Sequence, residues 1–192
     1  MRRGLLIGLL FFALAAPNAR ASNDETMIAE AKRIFRVLAN EAPDPFECMI
    51  DNRWYDDDLP EEVGSKYFGV STHATLKPPS PAISPSEIFE LPPENSIVFC
   101  DSKGAGTRME DLIRSLVMAA ENGSRSPFMA YSFPLFDKKA QTAAVIVAHF
   151  NVFRVKKNGV GKTQVGLGVD AHVFRKSQGN WSEIATVEMG RT

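Results

Sequence analysis

The chain has 192 residues, of which 44% are hydrophobic and 23% charged, with a formal net charge of −1. This balance excludes a collagen-like chain, a disordered tail and a polytopic membrane protein, and the length suits one domain.

Residues 1–21 open with Arg2 and Arg3 and continue through the uncharged run from Leu5 to Ala16. That run is too short to cross a bilayer core as a helix. Pro17 breaks it, and Ala19-Arg20-Ala21 places small residues where a signal peptidase reads them. The pattern predicts a signal peptide cleaved after Ala21, and so a periplasmic or secreted protein. The competing reading is a buried helix or an uncleaved anchor. The Arg pair lacks the longer twin-arginine motif, and no Cys stands at the cleavage point for lipid attachment.

Cleavage would remove Arg2, Arg3 and Arg20 and no acid, so the 22 basic residues become 19 against 23 acidic ones, about −4 for residues 22–192. An acidic chain without a Lys/Arg run speaks against nucleic acid as a partner and against membrane insertion after cleavage. Cys48 and Cys100 both remain in the mature chain. An even count in an exported protein predicts a disulfide, and closing a loop of that length is worth roughly 4 kcal/mol. Two free thiols or one reactive thiol are the alternatives.

Residues 24–40 carry Ile28, Ala31, Ile34, Phe35 and Leu38 at helical spacing, ended by Pro43 and Pro45, with Ser22 and Glu25 placed for a capping box. Phe46–Ile50 and Tyr67–Ser71 read as short strands. Between them, Asp51 to Glu62 holds six carboxylates without the spacing or central Gly of a calcium loop, so the segment reads as a solvated acidic loop packed down by Trp54 and Tyr55. No metal or other cofactor is expected. The six prolines between residues 77 and 93 predict an extended crossover without regular structure. Ser96–Cys100 reads as a strand. The Gly104/Gly106 loop fits neither phosphate-binding motif, and Thr107 with Glu110 starts a helix over 107–121.

The last third is strand-rich. Phe128–Phe133 is a short strand stopped by Pro134. Ala140–Val155 is a long strand, Asn158-Gly159 is a hairpin signal, and Gln164–Arg175 is the return strand. Gln178-Gly179-Asn180 makes a second turn into Trp181–Glu188. The prediction is an α+β fold. A C-terminal antiparallel β-meander of about five or six strands is packed by two main α-helices, all in a single domain, 22–192.

Side chains alternate along strands. Merging the apolar sets of the two long strands also merges their polar sets, and places His149, Asn151, Asp170 and His172 on one sheet face as candidate ligand-binding residues. Gly166 and Gly168 on that face make room. His149, Asp170 and His172 are also the candidates for acid–base work, although no motif spacing or obvious nucleophile accompanies them. The competing reading is a half-exposed sheet face on which these polar residues are tolerated.

Ser132-Phe133-Pro134-Leu135-Phe136, Ala143–Val147 and the Gly179-Asn180-Trp181 turn resemble the C-terminal half of small exported bacterial proteins of unknown function, where a Ser-x-Pro-x-Phe segment leads into a meander ending in a Gly-x-Trp turn. The ending is also similar to SnoaL-like and cystatin-like cones. The resemblance implies a helix packed into a curved antiparallel sheet and carries over no catalytic residue. The Pro-rich segment at 77–93 departs from a minimal cone. The favoured function is an exported, non-enzymatic protein that binds an unknown small molecule or envelope protein. The alternative is a small hydrolase or isomerase-like enzyme using the His/Asp/His cluster.

Overall fold

Long runs of small and β-branched residues make the two longest strands of the molecule, β5 (Thr142–Lys157) and β6 (Val160–Ser177). The computed structural model describes residues 18–39, 50–70, 76–77, 79–89, 99–100, 125–157 and 160–191. Before the long strands come α1 (Asn18–Ala39), β1 (Ile50–Asp51), α2 (Glu61–Val63), α3 (Pro85–Ile88), β2 (Phe99–Cys100), β3 (Arg125–Tyr131) and β4 (Leu135–Phe136); after them comes β7 (Asn180–Arg191). One sheet has the order β2-β1-β3-β5-β6-β7, with β4 also paired to β5.

The sheet as a whole is mixed, while its C-terminal meander is antiparallel as expected. The meander β3/β4-β5-β6-β7 is antiparallel, but β1 runs parallel to both β2 and β3. β5 and β6 pair in unbroken register from Thr142↔Arg175 to Lys157↔Val160, so that Asn158 and Gly159 alone separate them. At the other end, Gln178 and Gly179 both have positive φ, 50° and 84°, as a two-residue hairpin turn requires.

β3 and β4 are one strand interrupted at Ser132–Pro134. Pro134 has no N–H to donate. Ser132 repairs the ladder there: its N–H donates to the Ile146 carbonyl at 2.8 Å, and its Oγ accepts the Ile146 N–H at 2.8 Å. The serine oxygen thus takes the place of a strand carbonyl at a fully buried position.

Both faces of the sheet are covered. On one, Ala143, Val145, Val147, Phe174 and Trp181 meet Ala31, Ile34, Phe35 and Leu38 of α1, the stripe that the helical spacing predicts. Phe35 is at the centre, 4.4 Å from the Phe89 ring, 5.7 Å from Trp54 and edge-on to Tyr131. On the other face, Ala144, Ile146, Ala148, Val169, Ala171 and Val173 meet Leu59 and Val63.

Local expectations fared unevenly. α1 begins at Asn18 and crosses the predicted cleavage point, so Ser22 lies inside the helix and is not its cap. Tyr67 and Phe68 are not in a strand. Glu61 and Glu62 follow Pro60 as a helix start, α2 runs into a π-helical turn at Gly64–Phe68, and Gly69 ends it at φ 65°. The Pro-rich crossover contains a helical turn, α3, in which Pro85 takes the first position and the Glu87 carboxylate accepts the Ser84 N–H. Trp54 and Tyr55 do hold the acidic segment down: the Trp54 indole donates to the Ile83 carbonyl at 2.6 Å, and the Tyr55 N–H to that of Tyr131 at 2.8 Å. The strands expected at 46–49 and 96–98, the second helix expected at 107–121, Cys48 and the Cys100 side chain lie outside the described residues, as do residues 1–17.

Candidate functional site

The β5–β6 register puts His149 opposite Gly168, Val147 opposite Asp170 and Val145 opposite His172. All of these share the α1 side of the sheet. Val145 and Val147 are buried there, whereas His149 and Asp170 sit beyond them, each with a side chain 22% exposed. Gly168 lacks the side chain that would fill the space before His149, and the imidazole reaches diagonally to Asp170, with Nε2 3.0 Å from Oδ2. A neutral imidazole in this pair carries its proton on Nε2 and presents the Nδ1 lone pair. On the other flank, Met129 of β3 is the direct cross-strand partner of His149, and its sulfur accepts the Tyr131 hydroxyl at 3.1 Å. Burial pushes the Tyr131 phenol up to about 12.

His172 belongs to a separate group. Its Nδ1 lies 2.9 Å from Glu183 Oε1, and the Thr186 hydroxyl bonds the same oxygen. Strict alternation would place Glu183 and Thr186 on opposite faces. β7 carries a bulge: Phe174 pairs with Glu183 but Val173 with Ala185, which leaves Ile184 extra and brings Glu183 and Thr186 to one side. The order of groups matters chemically. The hydroxyl proton points at the carboxylate and not at the imidazole, so His172 is not placed to activate Thr186 as a nucleophile. The group clamps an edge-strand bulge.

The structure therefore divides the four candidates. His149 and Asp170 form one pair. His172 lies four residues along β6 from the position opposite His149, roughly 13 Å by strand rise. Asn151 pairs with Gly166 through its backbone, and its side chain is outside the described residues. Among the described residues no group of three His, Cys, Asp or Glu side chains could hold a metal ion.

Sequence reasoning missed a second cluster, roughly 20 Å along β6 from Asp170. Glu30 of α1 is buried and accepts three donors: Arg33 Nη1 at 3.0 Å and Lys176 Nζ at 2.9 Å on Oε1, and the Trp181 indole N–H at 2.7 Å on Oε2. Burial alone would raise the Glu30 carboxyl, but the hydrogen bonds from Lys176 and Trp181, with the charges of Lys176 and Arg33, outweigh it and hold the group below its ordinary value. The helical stripe of α1 gave no sign of this, because Glu30 lies beside the stripe and its partners lie some 150 residues on, in β6 and β7.

No family model, curated protein or solved structure matches this chain. Among the described residues no helix is long and apolar enough to cross a membrane.

Proposed function

We propose that this chain is an exported binding protein, delivered by the leader at residues 1–21, whose small-ligand site is the sheet face around His149 and Asp170. One observation carries the reading: an imidazole and a carboxylate 3.0 Å apart, partly exposed, opposite a glycine and at the margin of the face that α1 covers. Such a pair offers a ligand both an acceptor nitrogen and a fixed negative charge beside an apolar wall. The separation of His172 from His149 favours binding over the hydrolase or isomerase alternative, since the two imidazoles do not converge on one small substrate. The SnoaL-like or cystatin-like resemblance remains part of the proposal only as architecture.

The test is native mass spectrometry of the mature protein from its own envelope fraction. A mass beginning at Ser22 and a retained small molecule, lost in His149→Ala and Asp170→Asn while the urea midpoint holds, supports the reading. A bare protein in which His149→Ala lowers the midpoint like a core truncation would show that the imidazole serves packing.

A further inference from the structure

β7 joins two grooves of opposite charge. Its C-terminal end, at Glu188 and Met189, borders one lined also by Pro60, Glu61, Glu62 and Ser65. Its N-terminal end, seven residues and roughly 23 Å away, borders a groove of about 550 Å³ between α1 and the β6–β7 turn. Arg33, Arg36 and Val37 form one wall of the second groove, and Gln178, Asn180 and Trp181 the other.

Charged side chains of α1 and β6 stand around this second groove. Glu30 is the acid beneath it, and its carboxylate already serves Arg33, Lys176 and Trp181. Arg33 is half exposed, with a side-chain accessibility of 53%, and gives Glu30 one of its N–H groups. Arg36 is exposed, stands in the last turn of α1 and has an interaction of its own. Lys176 lies over the Trp181 ring, 5.7 Å from its centroid. Exposed Lys138, Lys139 and Arg175 stand at the same end of the sheet, where the Lys176 N–H donates to the Gln141 carbonyl. Asp137 is the acid of that turn, and its carboxylate accepts the Gln141 N–H. Among the described residues cations outnumber acids at this end even with Glu183 of β7 counted, in a chain whose net charge is negative. Three separate segments supply them, so no run of basic residues announces the site.

We propose that the α1/β6–β7 groove binds a small oxyanion ligand with more than one negative charge, a di- or tricarboxylate or a phosphate ester, gripped by Arg33 and Arg36 against the Gln178–Asn180 turn. Guanidinium forks match paired carboxylate or phosphate oxygens, and a concave site holds them where a flat surface would not. Glu30 acts as a positioning residue that fixes Arg33 and Lys176 at the floor. The site lies at the Ser177 end of β6, seven residues and roughly 23 Å along the strand from Asp170, so the inference goes beyond the function proposed above and does not depend on it.

The experiment is calorimetric titration of the mature chain with citrate and with inorganic pyrophosphate, at low and at raised salt. Saturable one-to-one binding that weakens with salt is expected for at least one of them. Arg36→Gln should lower affinity about tenfold, the effect of losing one charge-assisted contact, with the urea midpoint preserved, and His149→Ala should leave affinity unchanged. Arg33→Gln should act in the same direction; if it also disturbs the fold through Glu30, the exposed Arg36→Gln variant decides. Failure of both anions to bind would overturn the proposal, as would wild-type affinity in Arg36→Gln. So would binding confined to phosphatidylglycerol vesicles, which would assign the charge to a membrane surface.

Discussion

At the scale of single residues, three buried polar groups show how this fold handles polarity. Ser132→Ala leaves the Ile146 N–H without its acceptor in a fully buried strand. An unsatisfied group there costs about 1–3 kcal/mol, to be read as a lower urea midpoint at unchanged slope. Glu30 yields a pH prediction. Its carboxyl is held below the ordinary value in the fold, so its contribution is complete at neutral pH and disappears as pH falls through the lowered value. The wild type should lose more stability than Glu30→Gln between about pH 5 and pH 3, measured by urea unfolding at each pH. The Tyr131 phenol goes the other way. Pushed up to about 12 by burial, it contributes stability below the ordinary tyrosine value of about 10 and loses it as pH rises toward the folded value. Alkaline titration followed at the tyrosinate band should show Tyr131 ionising with unfolding, and Tyr131→Phe should remove that step. Of these features, only the strand break at Pro134 was readable in advance. The partners of Ser132, Glu30 and Tyr131 are set by tertiary contacts that no local pattern encodes.

At the scale of elements, legibility followed the range of the signal. The facing of β5 and β6 was readable because two alternating apolar sets must share a side, whereas turns at Asn158-Gly159 and one residue later both keep that facing, and the structure has the first, with His149 opposite Gly168. The Glu183–His172–Thr186 group was not, because a bulge at Ile184 breaks the period on which the argument rests. Tyr67 and Phe68 look like strand residues by composition, yet Pro60-Glu61-Glu62 had already set a helical course. The α1 stripe was readable, and its docking gives the prediction for this scale. Phe35 is fully buried, with ring contacts to Trp54, Phe89 and Tyr131 drawn from three separate segments. Phe35→Ala should cost about 3–5 kcal/mol through lost burial and a cavity, while Arg36→Ala one position on, on the exposed side of the helix, should change the unfolding free energy by under about 1 kcal/mol. Equal losses in the two variants would mean that α1 is not anchored by this aromatic cluster.

For the molecule as a whole, the non-local features escaped the sequence. Parallel pairing of β1 with β2 and β3 rests on two-residue strands with no turn signal between them, and it places β1 and β2 at the β3 edge of the meander. This edge is the weakest part of the sheet by strand length, and a Cys48–Cys100 bond, expected from the sequence and lying outside the described residues, would act there. Cys100 is the β2 residue paired with Asp51, and Cys48 precedes Asp51 by three positions in the chain. A Cys48–Cys100 bond would close the loop that carries the acidic segment, α2, the π-helical turn and the Pro-rich crossover. It would tie β1 to β2 where backbone pairing is shortest, and restrict the unfolded chain by roughly 4 kcal/mol. The mature protein should then be two hydrogens lighter than its reduced form by denaturing mass spectrometry. Reduction should lower the thermal midpoint, and Cys48→Ser with Cys100→Ser together should reproduce the reduced midpoint. A fully reduced mass in protein taken from the envelope, with the same midpoint in the double variant, would leave β1 and β2 held by backbone pairing and by Ile50 and Phe99 packed against the α1-side core.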